Sequence, residues 1–327
     1  MARQARKGGT AATPLALVGD IGGTNARFAL VQPDGSLARV RTLATEDHPT
    51  LADAIAFYFA KFPAERPDRA VLAVAAPVTG DQVSMTNHPW RFSIAALQAE
   101  LGLARLRVIN DFVANALAIP HLAPAERAQV GGGAPLAGAP AGVLGPGTGL
   151  GVSALVPSHD GFVPIQGEGG HVTMAPADAR ESAVLDLMRR RYAHVSAERV
   201  LCGPGLVNLY NALCELDGVP AAALSAAQIT DPRTEAEEPQ ARAATAMFCA
   251  MLGTVAGNLA LTLGARGGIY IAGGIVPRLG AAFAESAFRA RFEDKGRLRA
   301  YLAEIPTYVM TRSEPALLGA ASLVAVR

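Results

Sequence analysis

Two glycine-rich turns constrain this chain more than any other feature, because each is flanked on both sides by short apolar runs. In the first, Leu15–Gly19 and Ala26–Val31 read as strands around Asp20-Ile-Gly-Gly-Thr24. In the second, Val143–Gly145 and Val152–Val156 flank Gly145-Pro-Gly-Thr-Gly-Leu-Gly151. Two strand-turn-strand units predict an internally duplicated α/β chain with one hairpin per domain. A length of 327 residues suits two domains of ordinary size.

Helical and strand spacing alternate between and beyond the turns. Leu51–Lys61, Ile94–Leu101 and Phe112–Ile119 read as helices; Ala70–Ala75 and Leu106–Asn110 read as buried strands. Later helices are expected at Ala179–Tyr192, Gly205–Leu216, Gln240–Leu263 and Pro315–Val326, with a strand at Gly268–Ala272 that runs into Gly273-Gly274. Residues 231–239 hold two prolines and a charge cluster, which predicts an exposed loop. Residues 1–14 are expected to be a disordered tail without a signal-peptide core. Residues 15–115 with 312–327 are expected to form a small domain, and 116–311 a large one.

Charge and composition exclude several classes of partner. Only 17% of residues are charged and the formal net charge is +1, which leaves no electrostatic footprint for nucleic acid or an anionic membrane. Ala243–Ala265 is uncharged, long enough to span a bilayer, and contains Gly253-x-x-x-Gly257. Thr245, Thr254, Asn258 and Thr262 dilute it, so a buried helix is expected there. Cys202, Cys214 and Cys249 are too widely spaced for a disulfide framework or a metal site, as suits a reducing cytoplasm.

Successive glycines in a tight turn aim backbone N–H groups at one spot with no side chain in the way, which is what a phosphate needs. The common alternatives are absent. No G-x-x-x-x-G-K-[ST] occurs, and Lys7, Lys61 and Lys295 all lie away from the glycine turns. Gly145–Gly151 does not match G-x-G-x-x-G and precedes a β-branched run instead of a helix. Asp20, at the end of its strand, could hold hydrated Mg²⁺ beside phosphates, and Thr24 could add a hydroxyl; an ordinary Asp/Gly hairpin turn has the same composition.

Asn110-Asp111 stands where a strand gives way to a helix. Asp111 is therefore a candidate general base and equally a candidate helix cap. Glu168 and His171, on the loop Gly167-Glu-Gly-Gly-His171, would join Asn110 and Asp111 as partners for a polyol's hydroxyls. Glu198 reads from spacing as a surface residue. His88 and Trp90 read as turn-fixing and gap-filling.

Taken together, Leu17-Val-Gly-Asp-Ile-Gly-Gly-Thr-Asn25, Met85-Thr-Asn-His88, Ile109-Asn-Asp-Phe112, Gly147-Thr-Gly-Leu-Gly151, Gly167-Glu-Gly-Gly-His171, His194-Val-Ser-Ala-Glu-Arg199, Gly203-Pro-Gly-Leu206 and Ala272-Gly-Gly-Ile-Val-Pro277 resemble the bacterial ATP-dependent glucokinase family. The resemblance implies an actin-like, ribonuclease-H-like two-domain α/β fold with an interdomain active-site cleft, and a cytoplasmic homodimer acting on glucose and ATP with Mg²⁺. It implies Asp111 as catalytic base on the glucose 6-hydroxyl, with Asn110, Glu168, His171 and Glu198 as sugar-binding residues. It also implies Asp20, Gly22, Gly23, Thr24, Asn25, Gly147, Thr148 and Gly149 at the phosphates, Gly273 and Gly274 at the adenosine, and Mg²⁺ held by Asp20 through water. One departure stands out: Pro146 occupies a place where a small residue with an N–H is expected. The alternatives that stay open are a kinase of another hexose and a non-sugar ATPase switch of the actin kind. The cysteine-rich zinc motif of the related repressor and sugar-kinase family does not occur in the sequence, and no N-terminal helix-turn-helix is expected.

Overall fold

The computed structural model describes residues 14–159 and 161–324. Among them, the residues up to Ala114 and from Glu314 onward form one compact unit, and Asn115–Ser313 form the other. The tail expected over residues 1–14 lies, except for Pro14, outside the described residues.

The first unit is built on a five-stranded sheet. Its strands are β1 (Ala16–Ile21), β2 (Asn25–Val31), β3 (Leu37–Ala44), β4 (Arg69–Val74) and β7 (Arg105–Asn110), in the order β3-β2-β1-β4-β7. The two strands numbered between, β5 (Gln82–Ser84) and β6 (Arg91–Ser93), form a separate small hairpin. Strands β1, β2 and β3 make an antiparallel meander, whereas β1, β4 and β7 run parallel. Parallel pairing requires crossovers, and helices α1 (Leu51–Lys61) and α2 (Ile94–Glu100) supply them. Helix α1 starts where the sequence contains a capping box: Thr50 Oγ1 accepts the Asp53 N–H at 3.1 Å, and Asp53 accepts the Thr50 N–H at 3.1 Å.

Alternation along β1 sends Leu17 and Ile21 into a core with Phe28, Ile55, Tyr58, Leu72 and Trp90. Val18 goes to the opposite face, with Ala29 and Val71, beneath Leu317 and Ala320 of the closing helix Pro315–Ser322. Both faces being covered, β1 is an apolar run with little alternation in sequence. Trp90 donates its indole N–H to the His48 carbonyl at 3.1 Å, and His88 packs edge-on against it, as the gap-filling reading expects.

The second unit repeats the scheme. Strands β8 (Arg127–Gln129), β9 (Ala141–Pro146), β10 (Leu150–Ser158), β11 (Gly161–Gln166), β12 (Ile269–Ile271) and β13 (Thr307–Met310) pair in the order β11-β10-β9-β12-β13-β8. Strands β9, β10 and β11 are an antiparallel meander, β9, β12 and β13 are parallel, and β8 adds one antiparallel edge strand. The pairing order of the first five is that of the first unit, so the duplication expected from the two glycine turns is present in the topology.

Helices α3 (Asp111–Ala118), α4 (Ala179–Arg189) and α5 (Gly203–Asp217) are followed by the 25-residue helix Pro239–Leu263. That helix is the single one among the described residues long and apolar enough to cross a membrane. Its glycine pair serves an internal contact. A Cβ on Gly253 would lie 2.2 Å from the Phe288 carbonyl oxygen, and one on Gly257 would lie 2.5 Å from that of Phe292, so the glycines let the helix Phe288–Glu293 approach closely. The same junction buries an ion pair in which Arg291 grips Glu181 at 2.8 and 3.1 Å and donates to Thr254 Oγ1 at 2.8 Å.

Two expectations need correction. Residues 231–239 are not a loop throughout: Pro232–Glu237 form a short helix, because Asp231 accepts the Arg233 N–H at 2.8 Å and Pro232 sits in the first turn, where its missing N–H costs nothing. The closing helix ends at Ser322 and not Val326; residues 325–327 lie outside the described set.

Candidate functional site

In the first unit, strand register brings two candidate elements to one sheet edge. Ile21 of β1 pairs with Val74 of β4, and Val74 with Asn110 of β7, so three parallel strands end together. The Asp20–Thr24 turn and Asn110-Asp111 therefore share the carboxyl edge of one sheet, two strand spacings or roughly 10 Å apart. Carboxyl edges of parallel strands are where ligands bind in α/β sheets.

The first turn closes through the Gly22 N–H, which donates to the Asn25 carbonyl at 2.9 Å. Thr45 clasps it from outside: its hydroxyl donates to the Gly23 carbonyl at 2.9 Å and its N–H to that of Thr24 at 3.0 Å. No acceptor for the Gly23 and Thr24 N–H groups occurs among the described residues, and these two are the donors the turn offers. Gly23 is required sterically as well, since a Cβ would meet the Asn87 carbonyl at 2.8 Å.

Asp20 is mostly buried, and Arg27, opposite it across the hairpin, approaches to 3.5 Å. Burial pushes the Asp20 carboxyl above its usual 3.8; Arg27 pulls it down, and the neighbouring Glu314 carboxylate pushes it up. The net shift is upward, with burial as its main cause. Arg27 and Glu314 were not foreseen as members of this site, although a tight hairpin register does place residue 27 opposite residue 20.

Asn110 and Asp111 separate into two tasks. The Asn110 side-chain oxygen accepts the N–H groups of Phe112 and Val113 at 2.8 and 3.2 Å, and its amide donates to the Ala76 carbonyl at 3.3 Å. Asn110 is therefore the cap of α3. Asp111 is the first helical residue; its carboxylate accepts the Phe112 N–H at 3.0 Å and remains partly exposed.

In the second unit the turn Gly147-Thr148-Gly149 joins β9 to β10. Gly147 donates to the Gly149 carbonyl at 2.8 Å and accepts the Gly203 N–H at 2.8 Å. The Thr148 and Gly149 N–H groups have no acceptor among the described residues. Pro146 is the last, buried residue of β9, ahead of these donors, so its missing N–H takes nothing from them. Gly273, in the left-handed region at φ +81°, presses on the same corner: a Cβ there would lie 2.3 Å from the Pro146 oxygen. Gly274 beside it is exposed, with open space around it.

Glu198 reaches this turn. Its Oε2 accepts the Leu150 N–H at 2.8 Å, and its Oε1 lies 4.0 Å from His171 Nε2. The two segments meet because Thr173 bridges Ser196 and the Ala197 N–H donates to Val172. Glycines press the 167–171 loop onto β10: a Cβ on Gly170 would sit 1.9 Å from the Leu150 oxygen, and one on Gly169 2.9 Å from Val152. Glu168 and His171 are exposed on that loop, and Glu198 is partly so. The structure thus joins Glu198, His171 and the second turn, and corrects the surface reading of Glu198. Spacing missed the connection because it runs between residues 48 apart in sequence.

Oxygen donors suit a hard cation at Asp20. Among the described residues no group of three or more His, Cys, Asp or Glu converges, so the chain builds no metal cage of its own there. A mostly buried carboxylate beside the Gly23 and Thr24 N–H donors fits a hydrated divalent cation that arrives with phosphates.

Comparison with known proteins identifies the family. A family model described as Glucokinase matches residues 17–326. A glucokinase of Chromobacterium violaceum is 52% identical over 309 residues, spanning 94% of this chain and 89% of the relative. One of Nitrobacter hamburgensis is 50% identical over 316 residues, spanning 96% and 98%. Among solved structures, a glucokinase from an Antarctic psychrotroph superposes with a TM-score of 0.85 at 36% identity, over 94% of this chain and 98% of that one.

Proposed function

The chain belongs to the glucokinase family, and from that premise we propose how its residues carry out the family's reaction, transfer of the γ-phosphoryl group of ATP to the 6-hydroxyl of glucose. Asp111 takes the hydroxyl proton as the phosphoryl group is attacked. Its place at the first turn of α3 supports this role: Asn110 caps the helix, and the Phe112 N–H orients the partly exposed Asp111 carboxylate at the carboxyl edge of the sheet. Glu168, His171 and Glu198 accept and donate hydrogen bonds to the other sugar hydroxyls, and Asn110 offers the amide hydrogen that its cap leaves over.

On the nucleotide side, the N–H pairs of Gly23-Thr24 and Thr148-Gly149 receive phosphate oxygens. Gly22 and Asn25 close the first turn, and Gly273 and Gly274 leave backbone bare for the adenosine. Asp20 would hold Mg²⁺ through water, and the ion would supply charge neutralisation at the phosphates. The observation that carries the reading is the bond from Leu150 to Glu198, which ties a sugar-binding carboxylate to a phosphate turn.

We also infer a cytoplasmic homodimer. Three free, buried thiols support the compartment. Phe162, Val163 and Ile165, exposed on the edge strand β11, are apolar surface for a second copy to cover; sedimentation velocity tests it. The activity is tested by ADP production with Mg²⁺ and ATP across a panel of hexoses. A strict dependence on glucose is expected; slow hydrolysis indifferent to every sugar would refute the assignment.

A further inference from the structure

The turn Gly147–Gly149 is held at both ends by one segment, residues 198–203. At one end the Leu150 N–H donates to Glu198 Oε2 at 2.8 Å; at the other the Gly203 N–H donates to the Gly147 carbonyl at 2.8 Å. Cys202 ties the two anchors together. Its thiol donates to the Glu198 carbonyl at 3.0 Å and accepts the Gly205 N–H at 3.3 Å, which makes it the N-cap of α5.

The packing leaves this assembly little slack. A Cβ on Gly149 would lie 2.5 Å from Glu198 Oε2, and one on Gly205 would lie 2.6 Å from the Val200 carbonyl carbon. Cys202 is buried, and burial raises its thiol to about 11, so the S–H is present to donate at neutral pH. A carboxylate that orients a sugar and a turn that receives phosphate are therefore two ends of one hydrogen-bonded unit.

We propose that Cys202 is a positioning residue through which Glu198 and the Gly147–Gly149 turn act as a unit, so that sugar binding and nucleotide binding favour each other. The proposal rests on the sugar and phosphate roles given above. A hydroxyl bound to Glu198 immobilises the carboxylate and, through the Leu150 N–H, one end of the turn. Cys202, bonded to the Glu198 carbonyl and capping the helix whose Gly203 N–H holds the Gly147 carbonyl, keeps the Glu198 backbone and the other end of the turn in one frame. By linkage the nucleotide must favour the sugar by the same factor. Serine should replace Cys202, since its hydroxyl caps a helix and can donate to the same carbonyl, whereas alanine can do neither.

Dissociation constants of the non-hydrolysable analogue AMPPNP with Mg²⁺, measured with and without saturating glucose, test this. In the wild type, glucose is expected to tighten AMPPNP by about 5-fold or more, a typical coupling. Cys202→Ser should keep that ratio, and Cys202→Ala should bring it close to one. A purely structural role would lower the melting temperature and leave the ratio intact. A folded Cys202→Ala protein with the wild-type ratio overturns the proposal, as does a wild-type ratio of one when both ligands bind. Should the alanine variant fail to fold, hydrogen exchange on the wild type decides: glucose alone should slow exchange at residues 147–151, and unchanged exchange overturns the idea. Failure of the wild type to bind glucose at all would instead remove the sugar reading beneath it, and shows up separately.

Discussion

Asp111→Asn separates chemistry from architecture, because the helix cap resides on the neighbouring residue. Asn110 satisfies the Phe112 and Val113 N–H groups, so the substitution leaves the cap intact. What the fold loses is a negative charge in the first turn of α3, about 0.3–1 kcal/mol. The chemistry loses a general base, worth about 10²–10⁴-fold, or roughly 2.7–5.5 kcal/mol of barrier. The variant should melt within a few degrees of wild type while kcat falls at least a hundredfold, with glucose still bound. Asn110→Ala gives the opposite pattern in stability. Loss of the cap costs about 1 kcal/mol and should lower the melting temperature by about 2–4 °C. Coupled assay of ADP formation, with thermal melts on the same preparations, reads both. An Asp111→Asn enzyme with near-wild-type kcat would refute the assignment of the base, whatever its stability.

Three further outcomes are expected. Asp20 titrates above its usual 3.8 in the fold, so its share of stability is full below 3.8 and is lost as pH rises through the raised value. Without nucleotide, Asp20→Asn should therefore melt higher than wild type at pH 7, the gap closing as pH falls towards 3.8, while activity drops; a lower melting temperature at pH 7 would contradict the charge argument. Gly170→Ala puts a Cβ 1.9 Å from the Leu150 oxygen and must lift the loop that carries Glu168 and His171 off β10; the glucose KM should rise well above the ATP KM, and an equal rise in both would argue against a sugar loop. Gly253→Ala drives a Cβ to 2.2 Å from the Phe288 oxygen, which should cost about 1–3 kcal/mol in chemical denaturation with kcat at 25 °C unchanged; unaltered stability would mean the helix contact is looser than drawn.

What could be read from the sequence divides according to the range of the interaction. The hairpin around Asp20 and the cap at α1 are written in neighbouring residues, since turn glycines and a Thr50/Asp53 pair act over three or four positions. The dual role of Asn110-Asp111 was legible as a pair but not as a division of labour. Which side chain caps depends on where β7 releases the chain, and two adjacent residues that both cap well leave that undecided until the strand register is known. Glu198 was illegible from spacing, and entered only through the family resemblance, for a different reason. Its partners, Leu150 and His171, come from distant strands and loops, and only the bridge between Thr173 and Ser196 brings them together.

The glycines serve two purposes. Gly23 and Gly149 leave backbone N–H groups bare, whereas Gly169, Gly170 and Gly273 are gaps, each admitting another element's backbone or side chain where a Cβ cannot fit. The duplication explains why both uses occur together. In each unit a meander hairpin places its glycine turn at the carboxyl edge of parallel strands, β1 with β4 and β9 with β12, so the fold supplies two such turns by repetition. Repetition alone would give two equal halves. The halves differ in the carboxylate each turn is given: Asp20 next to the first, exposed to the charge of Glu314, suits a cation, whereas Glu198 on the second accepts a backbone N–H and faces a histidine, which suits a hydroxyl. On the proposed assignments, a scaffold that duplicates glycine turns acquires a sugar site by changing what stands beside one of them.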